Sequence, residues 1–180
     1  SRYDAAVWAV TFLLTVFADL TVAVEVGLVL AAMLFIRRIA NTTTVTEVTP
    51  DYLRSGQAHI LQDKDIPEYV KILRIHGPFL FGVTDKLTEW ESKIPEMPPV
   101  VVLRLRNMTA VDATGLHAIE EFADKLRKSG RELILCGALA QPTRLMANAR
   151  FHEHVGEENI CPNVEAALDR ARQIYAPAGA

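Results

Sequence analysis

The chain has 180 residues, of which half are hydrophobic and 23% charged, and its net charge at pH 7 is −3. This balance excludes a disordered chain and a strongly basic nucleic-acid-binding protein, so nucleic acid is not expected as a partner. The two cysteines, Cys136 and Cys161, form neither a CxxC motif nor a zinc-ligand spacing. That usage argues against a disulfide-rich secreted scaffold, and we expect both thiols to be buried as small hydrophobic side chains.

The first feature along the chain is an apolar block from Val7 to Ile36, in which 24 of 30 residues are hydrophobic. It contains no lysine or arginine and is too long for the apolar region of a signal peptide. Asp19 and Glu25 interrupt it, and an acid near the centre of a single span would cost about 2.5–3.5 kcal/mol. We therefore predict a membrane segment over residues 1–40 with two short transmembrane helices, at about 7–18 and 20–38, which meet near the two acids.

Two interpretations of the acids stay open: they are either ion ligands or helix-end residues among lipid headgroups. Arg37 and Arg38 follow the apolar block directly, and the positive-inside rule places that end of the second helix in the cytoplasm. A buried helix of a soluble protein is disfavoured because the block has no polar face at helical spacing. Since a backbone break inside a bilayer must be shielded by neighbouring helices, the pair is expected to belong to a larger assembly.

The rest of the chain alternates strands and helices, which predicts an α/β fold. A Thr-rich stretch suggests an extended linker over 41–58, followed by a domain over 59–180. Strands are expected where apolar residues alternate with polar ones or run continuously, and helices where they recur at helical spacing. The predicted strands are Val70–Ile75, Phe79–Phe81, Val100–Leu103 and Glu132–Cys136. The predicted helices are Val83–Ile94, Gly115–Ser129, Pro142–Ala149 and Val164–Tyr175.

The main candidate site is the tetrapeptide Asp112-Ala113-Thr114-Gly115, at a predicted strand-to-helix junction. Amide groups at a helix N-terminus attract anions and phosphorylated side chains. The hydroxyl of Thr114 suits either helix capping or attachment of a phosphate. Gly115 would allow another backbone segment to approach closely. From these residues alone, capping is the simpler interpretation.

The sequence contains no phosphate-binding loop, nucleophile elbow or HExxH motif, so neither an enzyme nor a cofactor is predicted. The alternate spacing in His152-Glu153-His154 suggests a metal site, but a solvated turn is the simpler explanation because no residue that would orient the ligands is apparent. His117 follows Gly115 by two residues, and we interpret it as a surface or partly buried histidine rather than a pH sensor.

These segments resemble known families. The N-terminal part resembles the last two transmembrane helices of SulP-family anion transporters, in the segments Val7–Thr15, Asp19-Leu20 and Val24–Gly27. The remainder resembles a STAS domain, the module named for sulfate transporters and anti-sigma antagonists, in the segments Val100–Leu103, Asp112–Leu116 and Gly130–Gly137. The order, a helix pair and then a STAS domain, is more specific than either motif alone.

The resemblance implies the C-terminal fragment of a secondary active transporter that carries sulfate, bicarbonate or related anions. Its STAS domain, a mixed sheet backed by helices, would lie in the cytoplasm below a multi-pass membrane domain and regulate assembly or activity. The implied partners are membrane lipid, the remaining transporter helices and a second copy of the chain. Substrate-binding residues are expected in upstream helices outside this sequence.

In anti-sigma antagonists, a serine at the position of Thr114 accepts phosphate from a partner kinase. The resemblance therefore implies that Asp112, Thr114 and Gly115 form a regulatory, phospho-acceptor-like turn. The alternative function is a membrane-tethered STAS module of a partner-switching pathway, with a regulatory protein bound at this turn. Upstream coding sequence separates the two, because a transporter gene would continue through about ten or more further apolar spans. A first residue of Ser rather than Met favours a truncated transporter.

Overall fold

The computed structural model describes residues 2–17, 19–48, 66–80, 83 and 85–175, and the chain divides into two compact units, Ser1–Asn41 and Thr42–Ala180. The first unit is built from two helices, α1 (Arg2–Phe17) and α2 (Leu20–Thr42). The predicted pair is present, but α2 is not short.

Helix α2 has 23 residues, and its segment Leu20–Arg38 has a mean hydropathy of 2.1 and is long enough to cross a membrane. Asp19 lies outside both helices, whereas Glu25 lies inside α2. The predicted bounds of the second helix, 20–38, already include Glu25, so of the two acids only Asp19 lies where the helices meet. The physical reason is that glutamate is a good helix former, and one such residue does not interrupt a run of leucine, alanine and valine.

The two helices pack through small residues. A Cβ added to Gly27 would lie 2.9 Å from the hydroxyl oxygen of Thr11, so the two backbones approach closely at this point. Ala23 is fully buried, whereas large apolar side chains remain outside, with Leu28 70% exposed. Small residues at the seam and large apolar residues on the outer surface are the arrangement that helices in lipid adopt.

The second unit contains a five-stranded sheet in the order β1-β2-β3-β4-β5, in which β1 is antiparallel to β2 and the other pairs are parallel. The strands are β1 (Thr44–Glu47), β2 (Val70–His76), β3 (Val100–Asn107), β4 (Glu132–Cys136) and β5 (Ile160–Cys161). The helices in the described part of this unit are α3 (Asp85–Glu91), α4 (Ala113–Lys128), α5 (Ala140–Asn148), α6 (His152–Val155) and α7 (Val164–Tyr175). Single turns of 3₁₀-helix occupy Ile94–Glu96 and Glu157–Asn159.

Strand β1 corrects the predicted linker over 41–58. Its four residues pair with β2, from Thr44 opposite His76 to Glu47 opposite Leu73. Threonine is common in edge strands as well as in linkers. Here the segment becomes a strand because it pairs with β2, which lies far away in sequence. The indole N–H of Trp90 donates to the carbonyl of Val45 over 3.3 Å, on an edge that would otherwise accept another strand. The part of the predicted linker from residue 49 onward lies outside the described residues.

Helices cover both faces of the sheet. On one face, Ile72, Val102 and Ile134 pack in a single cluster with Ala167 and Leu168 of α7. Side chains alternate along a strand, so the intervening residues face the other side, where α4 contributes its own buried apolar side chains. Those buried residues of α4 are Leu116, Ile119, Phe122, Ala123 and Leu126. The predicted mixed sheet backed by helices is confirmed.

Two predicted elements have different bounds in the structure. The predicted helix over 83–94 is helical at Asp85–Glu91, and Phe81 and Thr84 lie outside the described residues. Helix α4 begins two residues earlier than predicted, which brings Ala113 and Thr114 into its first turn. Its predicted end is confirmed, because Gly130 has a φ of +75°, a conformation that glycine adopts without strain.

Candidate functional site

The predicted tetrapeptide lies where β3 leads into α4. Asp112 is the N-cap of the helix, and its carboxylate accepts a hydrogen bond of 2.8 Å from the amide of Gly115. The carbonyl of Asp112 also accepts the first intrahelical bond, of 2.9 Å, from the amide of Leu116. Capping is therefore the role of Asp112, which leaves the hydroxyl of Thr114 outside the cap.

Gly115 allows a second chain segment to approach the start of this helix. A Cβ at this position would clash with the carbonyl oxygen of Phe79 and lie 3.0 Å from the ring of that residue. Phe79 belongs to a short bridge with Val111, and its amide donates to the carbonyl of Ala110 over 2.8 Å. The predicted role of Gly115 in a close backbone approach agrees with this geometry.

Gln141 holds the other side of the turn, and no sequence motif points to this residue. Its side-chain amide donates to the carbonyl of Val111 over 2.8 Å, and its side-chain oxygen accepts from the amide of Val111 over 3.1 Å. This two-bond clamp satisfies both polar groups of a buried residue next to the N-cap. Together, Phe79 and Gln141 fix the backbone that precedes Thr114.

Thr114 is the second residue of α4, and its side chain is exposed to solvent. A phosphate on this hydroxyl would lie in the first turn of a 16-residue helix, where the helix dipole and the first amide groups favour negative charge. One turn later, His117 lies 3.3 Å from Glu120 and 3.8 Å from Glu121, so its surroundings are acidic. The turn therefore offers an accessible hydroxyl on a rigid, well-braced backbone.

The other motifs do not form a site among the described residues. His152, Glu153 and His154 fall in the short helix α6, and His154 contacts Asp124 over 3.4 Å. Within the part of the chain that the structure describes, no group of three or more histidine, cysteine or acidic side chains could hold a metal ion. Cys136 and Cys161 are both buried, and burial raises the pKa of the Cys136 thiol to about 12 despite the nearby charge of Arg104. These thiols are therefore packed side chains rather than nucleophiles.

In the helix pair, charged residues are concentrated where α1 begins and α2 ends. The guanidinium of Arg37 lies over the ring of Tyr3, 5.0 Å from its centroid, and Arg38 lies 4.0 Å from Asp4. Such contacts are weak at an exposed surface. These contacts add little stability, but they show which end of the helix pair is polar.

Comparison with known proteins defines the class of the second unit. Residues 62–167, more than half of the chain, match the family model of the STAS domain. The chain therefore belongs to the STAS-domain family. A solved structure of a sulfate transporter family protein from Wolinella succinogenes is 36% identical, covers 64% of this chain and 94% of its own, and superposes with a TM-score of 0.59.

Relatives that extend over the helix pair as well are anion transporters, which confirms the SulP-family resemblance. YvdB of Bacillus subtilis, named for sulfate transport, is 24% identical over 158 residues, 87% of this chain and 28% of its own length. The murine anion transporter Solute Carrier 26 family member A9 has the same fold over 96% of this chain and 29% of its own, with 19% identity and a TM-score of 0.68. The chain spans less than a third of the length of the curated relatives it matches.

Proposed function

We propose that this chain is the C-terminal part of a secondary active transporter for inorganic anions of the sulfate type, and that its STAS domain regulates assembly or activity. The observation that carries the proposal is the direct succession of an apolar helix pair and a STAS unit. The fold of a solved anion transporter matches 96% of the chain, so the match includes the helix pair and the STAS unit in this order. Neither unit alone would separate a transporter from a soluble STAS protein.

The surface of the helix pair supports the presence of further transporter helices. Most of its large apolar side chains are exposed, as expected for contact with lipid or with other helices. Glu25 is also exposed, near the middle of the apolar block. A carboxylate there would cost about 2.5–3.5 kcal/mol in lipid, so it needs a polar neighbour from another helix. We therefore propose that Glu25 faces the remaining transporter helices.

The polar end of the pair sets the proposed orientation. Arg37 and Arg38 lie in the last part of α2, immediately before the STAS unit in sequence. The positive-inside rule then places the STAS domain in the cytoplasm, in a multi-pass membrane protein. A homodimer is the assembly that we propose on the basis of the family resemblance.

Asp112, Thr114 and Gly115 form the proposed regulatory turn. Its support is the exposed hydroxyl of Thr114 beside a cap that is already satisfied by Asp112. We expect phosphate on Thr114 in protein purified from the native cell, measured by phosphopeptide mass spectrometry. Thr109, an exposed threonine in the loop before this turn, is the internal control. Absence of phosphate on Thr114 under every growth condition tested would remove the phospho-acceptor role.

The same exposed hydroxyl favours one second function, a membrane-tethered STAS module that acts in a partner-switching pathway. DNA sequence upstream of the Ser1 codon separates the two. We expect an open frame that continues through about ten or more further apolar spans of about 20 residues each. A start codon adjacent to Ser1 would instead support the tethered module and contradict the transporter.

A further inference from the structure

A pocket of about 310 Å³ lies in the STAS unit, where strands β3 and β4 end and helix α7 begins. It shares no residue with the turn at Asp112. Ligands of sheets with parallel strands commonly bind at the carboxyl ends of those strands, because loops and helix N-termini meet there. The lining residues that determine its chemistry are Arg104, Arg106, Gly137, Asn163, Val164 and Glu165.

Two arginines give the pocket its positive charge. Arg104 and Arg106 are two positions apart on β3, so their side chains lie on the same face of the sheet. Arg104 is 7% exposed, which is uncommon for a charged residue, and its charge acts on the thiol of Cys136, the residue paired with it on β4. Arg106 is exposed and borders Gly137, where an added Cβ would lie 3.5 Å from the Cβ of Arg106. Gly137 has a φ of +69°, a conformation that favours glycine, and a side chain there would occupy space next to Arg106.

Helix α7 adds to the same potential. Asn163 precedes the helix, and its side-chain oxygen accepts a 2.9 Å hydrogen bond from the amide of Ala166. The amide of Val164, the first residue of this 12-residue helix, has no intrahelical acceptor, as at the start of any α-helix. Among the described residues that line the pocket, Glu165 contributes the one carboxylate, against two guanidinium groups. The formal charge of these described lining residues is therefore positive.

We propose that this pocket binds a small inorganic oxyanion of the sulfate or phosphate class. Its volume of about 310 Å³ holds a tetrahedral oxyanion together with bridging water. Guanidinium groups bind tetrahedral oxyanions through paired N–H···O bonds, and such charge-assisted bonds are about twice as strong as neutral ones. Chloride lacks that geometry and carries a single charge. The pocket should therefore prefer sulfate and hydrogenphosphate over chloride.

The test is isothermal titration calorimetry of the full chain in detergent micelles, with sodium sulfate and then sodium phosphate as ligands. Asn163→Asp keeps the helix cap, because Asp and Asn cap equally well, and adds a negative charge to the pocket. Arg106→Gln removes one exposed positive charge. Arg127→Gln, in the last turn of α4 and absent from the pocket lining, makes the same charge change as Arg106→Gln elsewhere and is the matched control.

We expect saturable binding of one sulfate per chain. Asn163→Asp and Arg106→Gln should each weaken it at least tenfold, and Arg127→Gln should change it less than twofold. Chloride at the same ionic strength should bind at least tenfold more weakly than sulfate. Circular dichroism establishes that each variant is folded, and Asn163→Asp alone decides the outcome if Arg106→Gln does not fold. No saturable binding, or equal affinity in the unmodified chain and Asn163→Asp, would overturn the proposal.

Discussion

Replacement of Gly115 by alanine is the sharpest test of how the turn at Asp112–Gly115 is built. Helix propensity alone predicts that this change stabilises the protein by about 1 kcal/mol, because Gly115 lies inside the first turn of α4. The structure predicts the opposite sign. The added Cβ would clash with the backbone oxygen of Phe79, lie 3.0 Å from the Phe79 ring and lie 3.1 Å from a methyl group of Val111.

The magnitude follows from what must move. The obstructing atom belongs to backbone, which cannot rotate away, so the cost should be near the upper end of the about 1–3 kcal/mol seen for overpacking. Displacement of α4 also weakens the 2.8 Å bond from the Gly115 amide to Asp112, a cap contact worth about 1 kcal/mol. Offset by the propensity gain, the free energy of unfolding should fall by about 2–3 kcal/mol.

Urea denaturation of the full chain in detergent measures this change. A Trp8→Phe background leaves Trp90 as the single tryptophan, and its fluorescence then reports unfolding of the STAS unit. Gly130→Ala is the matched control, because no atom of the described residues outside its chain neighbours lies within 4 Å of its added Cβ, and its positive φ is the cost that remains. If Gly115→Ala were as stable as the unmodified chain, or more stable, the close approach of Phe79 would be refuted.

Three further predictions test other parts of the molecule. Asp112→Ala should lower the free energy of unfolding by about 1 kcal/mol in the same urea assay, whereas Asp112→Asn should retain most of the cap; equal loss in both would contradict capping. Gly27→Val should weaken α1–α2 packing against Thr11 in an SDS titration followed by circular dichroism, whereas Leu28→Val, at an exposed position, should not. Burial raises the pKa of Cys136 to about 12, so above pH 9 the thiol ionises more readily in the unfolded chain than in the folded one. The free energy of unfolding should therefore fall by about 1.4 kcal/mol per pH unit between pH 9 and about pH 12, and should show no such fall below pH 9. The unmodified chain should lose more stability between pH 9 and 10.5 than Cys136→Ala, and equal slopes would contradict this prediction.

Local patterns predicted the central elements of the fold because the determining interactions are close in sequence. The continuous run Val100–Leu103 forms part of the buried strand β3, and the apolar spacing after Gly115 forms α4. The N-terminal block was predicted to be a helix pair because length and hydropathy are properties of the segment itself. In each of these cases, the residues of the segment itself were enough to predict its secondary structure.

The remaining features depend on partners far away in sequence. Strand β1 forms because Thr44–Glu47 finds β2 about 30 residues later, and a Thr-rich stretch alone does not reveal that partner. Gln141 holds Val111 across 30 residues. Arg104 resembles a surface residue in sequence, yet it lies 7% exposed beside the pocket.

The most direct test of the proposed function is transport by the protein expressed from the complete gene that encodes this chain. Reconstituted in liposomes, that protein should accumulate radiolabelled sulfate when an ion gradient is imposed, with saturation and with competition by unlabelled sulfate or bicarbonate. Empty liposomes set the background, and a version that ends before Asn41 measures the contribution of the STAS domain. A folded, membrane-inserted protein that moves neither sulfate nor bicarbonate would contradict the proposed function.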